Sequence, residues 1–324
     1  MQRLKNWFRG LIVFIGLIGL FVSIQYLWIG KAPEPSHFPP TTILAHRGVH
    51  LNYHKGRYDV KTGCEAQHIL LPSHSFLGNT LPAISAAFSA GADMVEIDIR
   101  KTADSNLVVF HDYGLECRTD GKGLVAEHTV PELKALDIGF GYTADSGRTY
   151  PFRGKGVGEM PTLMEVLKAF PQKSFLLDHK DWDQESLQFL IDLLAKIPRE
   201  QRSRVQFWSS TLLQGSLENH YPEVRPLFFT RREVKQVFVP FFFSFGMRDI
   251  PAYYEGCAMA IPAKYVPYVW GWPYRFIEEV HEASIQIYLF VDTEAEAKKY
   301  RSLPVDGFIT DYIERTGPIL KATP

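Results

Sequence analysis

Residues 93–112 read DMVEIDIRKTADSNLVVFHD, and the expected fold and chemistry of the chain follow from this stretch. It begins with the apolar strand pattern MVEIDI, in which Glu96 and Asp98 are two residues apart and therefore point to one face. The chain turns at 103–106 and returns as LVVFHD. Because this turn is too short for a parallel crossover, the return is predicted to be antiparallel. Centring the hairpin on the middle of the turn sets His111 opposite Asp98.

This arrangement predicts a cluster of two carboxylates and an imidazole. Two acids at the end of a buried strand repel each other, and burying them is costly unless a positive charge lies between them. A divalent cation supplies that charge, and oxygen ligands suit Mg²⁺ or Ca²⁺. The alternative is an exposed hairpin with a solvated acidic face.

The composition restricts the classes of protein to which the chain can belong. Its 324 residues, of which 46% are hydrophobic, suffice for one large domain or two small ones. The formal net charge is −1, and there is no run of Lys and Arg, so no nucleic-acid partner is expected. The three cysteines form no CxxC pair, which argues against a zinc site built on thiolates.

The first 40 residues are predicted to lie outside the main folded domain. Residues 1–30 contain a basic stub followed by about twenty residues without formal charge, enough for a transmembrane helix. The positive charges precede the apolar run, which favours a cytoplasmic N-terminus and an extracytoplasmic (periplasmic or extracellular) domain. A cleaved signal peptide is the alternative. Residues 31–40, KAPEPSHFPP, are typical of a stiff proline-rich linker.

From residue 41 onward, apolar strand patterns alternate with helical ones. Eight strands are predicted, at 41–46, 93–99, 174–179, 204–209, 223–229, 257–262, 285–291 and 305–310. Eight such units indicate an α/β fold, a (β/α)₈ TIM barrel spanning 41–324. The barrel is expected to be irregular at the second unit, where the hairpin and a glycine-rich loop replace the helix. A polar insertion at 49–78 is expected to be a functional lid or a poorly ordered loop.

The C-terminal ends of barrel strands meet at one mouth, so polar residues at these ends are expected to form one site. The candidates are His46 and Arg47 from the first strand, Glu96 and Asp98 from the second, His111 from the return arm, and Asp178 and Lys180 from the third. Three carboxylates suit a cation, and an Arg and a Lys beside it suit a phosphate diester. Two imidazoles on opposite sides of phosphorus suit a general base and a general acid.

Several motifs together resemble the glycerophosphodiester phosphodiesterase family. They are HRG at 46–48, NT at 79–80 with the helix that follows, GADMVEIDIRKTAD at 91–104, VVFHD at 108–112 and VDGFITD at 305–311. The resemblance is specific over roughly 41–180 and looser over 285–313. It implies a (β/α)₈ barrel that uses a divalent cation to hydrolyse glycerophosphodiesters to an alcohol and glycerol 3-phosphate.

The resemblance also implies roles for individual residues. His46 and His111 match the general acid/base pair of the family. Glu96 and Asp98 match its metal-binding acids, and Arg47 with Lys180 matches its phosphate-binding positive charges.

Two positions depart from the family pattern. Gly78 stands where the family usually has a Glu before Asn-Thr. Asp178 stands where it usually has a Glu, one methylene longer, and this makes Asp178 a candidate third metal ligand. The insertion also lies between HRG and NT, so it is expected to cover the mouth and to influence substrate choice.

Two further features bear on the mouth. Cys64 in the insertion and Cys117 after the HD motif are candidates for a disulfide in an oxidising compartment, with two free thiols as the alternative. The aromatic segment YVPYVWGWPYRF supplies candidate substrate contacts at Tyr268, Trp270 and Trp272.

The function expected from these features is metal-dependent hydrolysis of a glycerophosphodiester or a related lysolipid. One alternative is a non-catalytic barrel that binds a phosphate or a lipid head group. Another is a lysophospholipase D or cyclising phospholipase activity on the same fold, in which a substrate hydroxyl attacks phosphorus. The intact His46 and His111 favour an enzyme, because binding alone requires no second imidazole.

Overall fold

The structure is a computed structural model that describes residues 2–27, 41–54, 64–181, 183–208, 216–217, 219–229, 231–244 and 256–322. The predicted linker at 31–40 and part of the insertion, 55–63, lie outside these residues. The strands are β1 (Thr42–His46), β2 (Met94–Lys101), β3 (Leu107–Val109), β4 (Ser174–His179), β5 (Val205–Trp208), β6 (Arg225–Phe228), β7 (Ala258–Pro262), β8 (Gln286–Phe290) and β9 (Gly307–Thr310).

Eight of these strands form a closed parallel barrel. Their order around it is β1-β9-β8-β7-β6-β5-β4-β2, and the additional pairing of β1 with β2 closes the ring. β3 joins β2 antiparallel and lies outside the ring. The predicted (β/α)₈ barrel, irregular at its second unit, is therefore confirmed.

The helices cover the outside of the barrel, and short 3₁₀ turns occur at Glu65–His68, Val125–Glu127 and Ala263–Tyr268. The α-helices are α1 (Gln2–Leu27), α2 (Leu81–Ser89), α3 (Val130–Ala135), α4 (Leu163–Ala169), α5 (Gln184–Leu194), α6 (Arg199–Arg202), α7 (Arg231–Phe243), α8 (Tyr274–Glu282), α9 (Glu294–Tyr300) and α10 (Ile313–Lys321). Helix α2 begins after Thr80, whose hydroxyl accepts a hydrogen bond from the Ala83 amide, as expected for an N-cap.

The hairpin between β2 and β3 differs by one residue from the prediction. Ile99 pairs with Val109, and the Thr102 amide donates to the Asn106 carbonyl, so the turn is centred on Asp104. The prediction that His111 lies opposite Asp98 is therefore wrong. The side chain of Thr102 accepts a hydrogen bond from the Asn106 amide and donates one to Asp104. These bonds close a turn with an odd number of residues, whereas an even number was expected.

The interior of the barrel is apolar at one end and acidic at the other. Met94 of β2 belongs to an inner apolar cluster with Leu44 and Phe228. Glu96 and Asp98 follow Met94 on the same face of the strand, at its C-terminal end. The alternate residues of β2 pack against the surrounding helices. This division directs the acids of β2 into the barrel mouth.

The insertion contributes an apolar anchor of its own. Leu51, Ala66, Ile69 and Leu77 are buried together with residues of the loop after β3. Cys64 and Cys117 form a disulfide, with their Cα atoms 5.3 Å apart. The described part of the insertion is therefore packed and covalently tied beside the barrel mouth, and the predicted disulfide is present.

The N-terminal apolar run is part of α1. Among the described residues, no helix combines the length and the hydropathy that crossing a membrane requires. The transmembrane anchor predicted for residues 1–30 is therefore not supported.

The contribution of the core to stability can be tested at Phe175 of β4, which is fully buried between the barrel and its helices. Phe175→Ala is expected to lower the free energy of unfolding by about 3–5 kcal/mol, because it removes the ring and leaves a cavity. The measurement is urea denaturation followed by circular dichroism. Leu71→Ala is the control, since Leu71 is 87% exposed, and equal losses for the two variants would contradict the assignment of this core.

Candidate active site

Three carboxylates meet inside the barrel mouth. Glu96 and Asp98 come from β2 and Asp178 from β4, and the strand register sets Asp98 beside Asp178. Each residue offers one ligand oxygen, and these oxygens all lie within 4.8 Å of one another. Glu96 and Asp98 are buried, whereas Asp178 is partly exposed. The shorter side chain at position 178 therefore still reaches the cluster.

The electrostatics of this carboxylate cluster (Glu96, Asp98 and Asp178) decide whether it fits a metal ion. Burial and the charges of Asp98 and Asp178 raise the pKa of Glu96 well above its ordinary value. Burial also opposes ionisation of Asp98, but Lys180 and Arg47 together outweigh it and lower the pKa of Asp98. Among the described residues, Glu96 Oε1 has no hydrogen-bond partner although it is buried. The three acids therefore fit a hard divalent cation such as Mg²⁺ or Ca²⁺.

Two positive side chains border the cluster. Lys180 Nζ lies 2.9 Å from Asp98 Oδ1 and also hydrogen-bonds Asp178. Arg47 Nε lies 3.1 Å from Asp98 Oδ2 on the opposite oxygen. The carboxylate of Asp98 is thus held between a lysine and an arginine, the two groups predicted to bind phosphate.

His46 and Asp311 form one histidine–carboxylate pair at the mouth. The Nδ1 atom of His46 lies 2.6 Å from Asp311 Oδ1, and its Nε2 lies 3.8 Å from Glu96 Oε2. A carboxylate that accepts from Nδ1–H fixes the tautomer, so that Nε2 is the nitrogen available for proton transfer. Asp311 directly follows β9, which pairs with β1, and this neighbourhood brings the two side chains together.

His111 and Asp112 form a second pair of the same kind. Nδ1 of His111 lies 2.6 Å from Asp112 Oδ1, and Asp112 in turn accepts from Arg118 Nε at 2.8 Å. Arg100 of β2 donates from Nε and Nη2 to the His111 carbonyl, at 3.1 and 2.7 Å. Burial and the charge of Arg47 lower the pKa of His111, which favours the neutral imidazole. His111 is therefore held in place from both its ring and its backbone.

Asn79 is a site residue that the sequence analysis did not single out. Its Nδ2 donates to Asp98 Oδ2 at 2.7 Å, and its Oδ1 accepts from the Asp98 amide at 3.2 Å. Asn79 has a positive φ of 64°, a conformation that Asn tolerates better than most residues. The NT motif before α2 was the sequence signal for this residue. Its asparagine orients Asp98, a candidate metal ligand.

Other side chains at the mouth were also missed. They are His50, Glu65, Asp112, Arg118 and Asp311. Asp112 and Asp311 each end a motif that was recognised, HD and ITD, so their positions carried a signal. Glu65 and Arg118 directly follow the cysteines of the predicted disulfide, which placed their segments side by side, but the sequence did not indicate an ion pair between them.

The structure does not bring the predicted aromatic contacts to the carboxylate cluster. Trp270 is 4% exposed and packs in the core with α8 residues, and Trp272 lies against the same core. Tyr268 is 74% exposed at the end of the 3₁₀ turn after β7. Trp270 also lies against Phe21 of α1, with ring centroids 4.6 Å apart. Their contact with substrate stays a prediction.

These contacts define what the mouth can do. It can hold a doubly charged cation on three acids, neutralise an anion with a lysine and an arginine, and move protons at two oriented imidazoles. Such a combination suits displacement at a phosphate ester, where negative charge develops on oxygen and protons must be taken up and delivered.

Comparison with known proteins agrees with this chemistry. The glycerophosphoryl diester phosphodiesterase family model matches residues 63–315. A glycerophosphodiester phosphodiesterase from Caldanaerobacter subterraneus subsp. tengcongensis is 38% identical over 101 residues, 31% of this chain and 37% of the relative. A glycerophosphodiester phosphodiesterase from Bacillus subtilis is 36% identical over 167 residues, 50% of this chain and 47% of the relative. The chain thus spans less than half the length of these curated relatives.

The fold has solved counterparts. A phosphodiesterase from Oleispira antarctica, in complex with the product sn-glycerol-3-phosphate, superposes with a TM-score of 0.58 at 19% identity, covering 89% of this chain and 98% of that one. At this identity the likeness establishes the shared barrel, and the roles of individual residues depend on the contacts described above.

The raised pKa of Glu96 leads to a test of cation binding. A carboxyl group with a raised pKa retains its proton to higher pH, so a cation that binds there must displace that proton. The affinity for Mg²⁺ or Ca²⁺ is therefore expected to increase as the pH rises, with proton release on binding. Isothermal titration calorimetry in two buffers of different ionisation enthalpy measures both quantities.

Glu96→Gln is expected to weaken cation binding and to abolish this proton release. Glu185→Gln is the matched control, because Glu185 pairs with Lys101 on the exposed side of β2. Cation binding that does not respond to pH or to Glu96→Gln would show that the ion lies elsewhere.

Proposed function

Because this chain belongs to the glycerophosphoryl diester phosphodiesterase family, we propose that it hydrolyses glycerophosphodiesters to glycerol 3-phosphate and an alcohol. The observation that carries the proposal is the presence of two histidine–carboxylate pairs beside one carboxylate cluster. His46 is oriented by Asp311 and His111 by Asp112, each at 2.6 Å. Each pairing leaves one ring nitrogen for proton transfer.

Glu96, Asp98 and Asp178 are the residues that would hold the divalent cation, Mg²⁺ or Ca²⁺. When bound, such an ion polarises a phosphoryl oxygen and neutralises charge that develops in the transition state. Asn79 and the Arg47 amide orient the acids, since the first donates to Asp98 and the second to Glu96 Oε2 at 3.1 Å. The acids are thereby fixed before any ligand arrives.

The two histidines move the protons. One imidazole accepts a proton from the attacking water molecule, and the other donates a proton to the departing alcohol oxygen. Asp112 and Asp311 stabilise the imidazolium that forms when either ring accepts a proton. The lowered pKa of His111 suits a group that starts in the neutral form.

Lys180 and Arg47 are proposed to bind the phosphate oxygens. The complex of the Oleispira antarctica phosphodiesterase with glycerol 3-phosphate supports a product of this type for the same barrel. Lys180 Nζ is partly exposed beside Asp178, so it borders the space from which a substrate approaches.

A cyclising or lysophospholipase D activity on this fold is the second candidate. The cyclising reaction differs in its nucleophile, and the lysophospholipase D reaction differs in the substituents on the substrate. The same residues would serve either reaction. A barrel that only binds a phosphate group is less favoured, because two imidazoles oriented by carboxylates have no function in binding alone.

We further propose that the barrel domain works in an oxidising, extracytoplasmic compartment. The support is the disulfide between Cys64 and Cys117, since such bonds persist in oxidising compartments and are rare in the cytosol.

The proposed reaction is tested by incubating the purified chain with glycerophosphocholine, glycerophosphoethanolamine and a lysophospholipid. Phosphorus NMR of the products distinguishes glycerol 3-phosphate from a cyclic phosphate and from a lysophospholipase D product. Absence of turnover with all three substrates in the presence of Mg²⁺ and Ca²⁺ would exclude the proposal.

His46→Ala and His111→Ala are each expected to lower kcat by about 10²–10⁴-fold, because each removes one proton-transfer group. The readout is kcat with the substrate that turns over best, together with the melting temperature, which should change little. His220→Ala serves as the control, since His220 is exposed and its ring bonds only locally to the Ser216 carbonyl among the described contacts. Unimpaired turnover in either active-site variant would rule out the assignment.

Removal of the cation by EDTA is expected to abolish turnover, and addition of Mg²⁺ or Ca²⁺ to restore it. The physical reason is that the carboxylate cluster without a cation repels an anionic substrate. Rates before chelation, after chelation and after readdition provide the measurement, and indifference to EDTA would remove the cation from the mechanism.

A further inference from the structure

Arg47 is a buried cation whose position requires support. Its side chain is 8% exposed, and its backbone has a φ of 59°, which few non-glycine residues adopt. Burying a guanidinium group costs free energy unless carboxylates surround it. Asp98 is one such partner, but it is shared with Lys180 and Asn79 and belongs to the carboxylate cluster.

Glu65 from the insertion supplies the second partner. Its Oε2 lies 2.9 Å from Arg47 Nη1 and 2.5 Å from Arg118 Nη2. Burial opposes ionisation of Glu65, but Arg47 and Arg118 outweigh it, and the pKa of Glu65 falls well below its ordinary value. Glu65 therefore neutralises Arg47 with a carboxylate that does not belong to the carboxylate cluster.

The contacts of Glu65 extend to the second histidine. Arg118 also donates to Asp112, which accepts from His111. Charged groups thus form a continuous chain from Arg47 through Glu65, Arg118 and Asp112 to His111. Each link is 2.5 to 2.9 Å long and lies in a largely buried setting. Displacement of Glu65 would loosen both a phosphate-binding group and a proton-transfer group.

Position 78 cannot supply this carboxylate. A Cβ atom at Gly78 would lie 2.7 Å from His50 Cβ and 3.5 Å from Arg47 Cβ. The first distance is too short for any side chain unless the backbone moves. The insertion thus occupies the space beside Arg47 and supplies Glu65 as the acidic residue there.

The disulfide fixes both ends of this contact. Cys64 immediately precedes Glu65, and Cys117 immediately precedes Arg118. The bond between the two cysteines joins the insertion to the loop after β3 beside the Glu65–Arg118 ion pair. Without it, residues 64 and 65 would be held by the packing of Ala66 and Ile69 and by hydrogen bonds.

We propose that Glu65 is a positioning residue that sets Arg47 for phosphate binding and, through Arg118 and Asp112, sets His111 for proton transfer. The Cys64–Cys117 disulfide keeps it in place, so turnover depends on the oxidised state of this bond. The proposal deepens the phosphodiesterase function proposed above and rests on it.

Glu65→Gln removes the charge and keeps the size of the side chain. Catalytic efficiency, kcat/KM, is expected to fall by about 10- to 100-fold, which corresponds to the loss of one hydrogen bond between charged groups. The loss should divide between a higher KM, from Arg47, and a lower kcat, from His111. Glu65→Asp is expected to recover part of the loss. Glu200→Gln is the matched control, because Glu200 makes an exposed ion pair with Arg204.

Binding of glycerol 3-phosphate provides a second readout that does not require turnover. Calorimetry at a temperature where both chains are folded should show weaker binding to Glu65→Gln than to the unaltered chain. Equal kcat/KM and equal binding would overturn the positioning role, and a gain in activity would show instead that Glu65 blocks the site. If the unaltered chain binds glycerol 3-phosphate but turns over no diester, the proposed function fails while this binding comparison still decides the role of Glu65.

Reduction tests the disulfide. Dithiothreitol transfers two electrons and two protons to the Cys64–Cys117 bond, which yields two thiols and cyclic oxidised dithiothreitol. Reduction should lower kcat/KM by about the same 10- to 100-fold factor as Glu65→Gln. The Cys64→Ser/Cys117→Ser variant should be equally impaired and should not respond to reductant. Cys257→Ser should behave like the unaltered chain, since Cys257 directly precedes β7 and packs against a different core cluster from that of Cys64 and Cys117.

Melting temperatures recorded in the same experiments distinguish a displacement of Glu65 from unfolding of the chain. Full activity of the reduced chain, or of the double serine variant, would overturn the role of the disulfide. If the double variant is unfolded at the assay temperature, the dithiothreitol titration of the folded chain decides, because activity and circular dichroism are followed in the same sample.

Discussion

The repulsion among three carboxylates at one end of a closed barrel is the constraint on which the rest of this structure depends. Glu96, Asp98 and Asp178 point inward because the two-residue period of β2 and β4 places them on the face that the apolar interior also uses. Without positive charge they could not share this space, so the surrounding residues supply it permanently from Arg47 and Lys180 and leave room for a cation. The raised pKa of Glu96 and its buried Oε1, which has no hydrogen-bond partner among the described residues, both fit a group that binds a cation.

Around that centre, the site is built from pairs of groups. Each histidine has a carboxylate on Nδ1, and Arg47 and Lys180 each have a carboxylate partner, so a neighbouring charged group sets the orientation of these four side chains. The partners come from parts of the chain that are far apart in sequence: β9 for His46, the insertion for Arg47. The strands of the barrel hold the carboxylate cluster in a fixed geometry, whereas the loops and the insertion supply the oppositely charged partners of the surrounding groups.

The sequence predicted the groups on strands better than the groups on loops. Strand periodicity was sufficient for Glu96, Asp98 and Asp178, because a closed parallel barrel allows few alternatives for an alternating apolar pattern. The centre of the β2–β3 hairpin was mispredicted. Hydrogen bonds of Thr102 and Asn106 decide whether the turn has an odd or an even number of residues, and turn propensities do not predict these bonds. The predicted Cys64–Cys117 disulfide placed the segments of Glu65 and Arg118 side by side, but the ion pair between these residues, 53 positions apart, depends on the packing of the insertion, which the sequence did not reveal. The membrane anchor was inferred from hydropathy, and the described helix does not support it.

The odd turn at the tip of the hairpin has a consequence for how such a chain can change during evolution. His111 lies just past the last ladder pair of β3, and the Phe110 amide donates to the Asp98 carbonyl, so the side chain that faces the mouth is set by a count of residues from Asp104. Adding or deleting one residue in this turn would shift the register of β3 against β2 by one residue and displace His111 from its place beside Asp112 and Arg100. Substitutions at the tip are therefore far more tolerable than changes in its length.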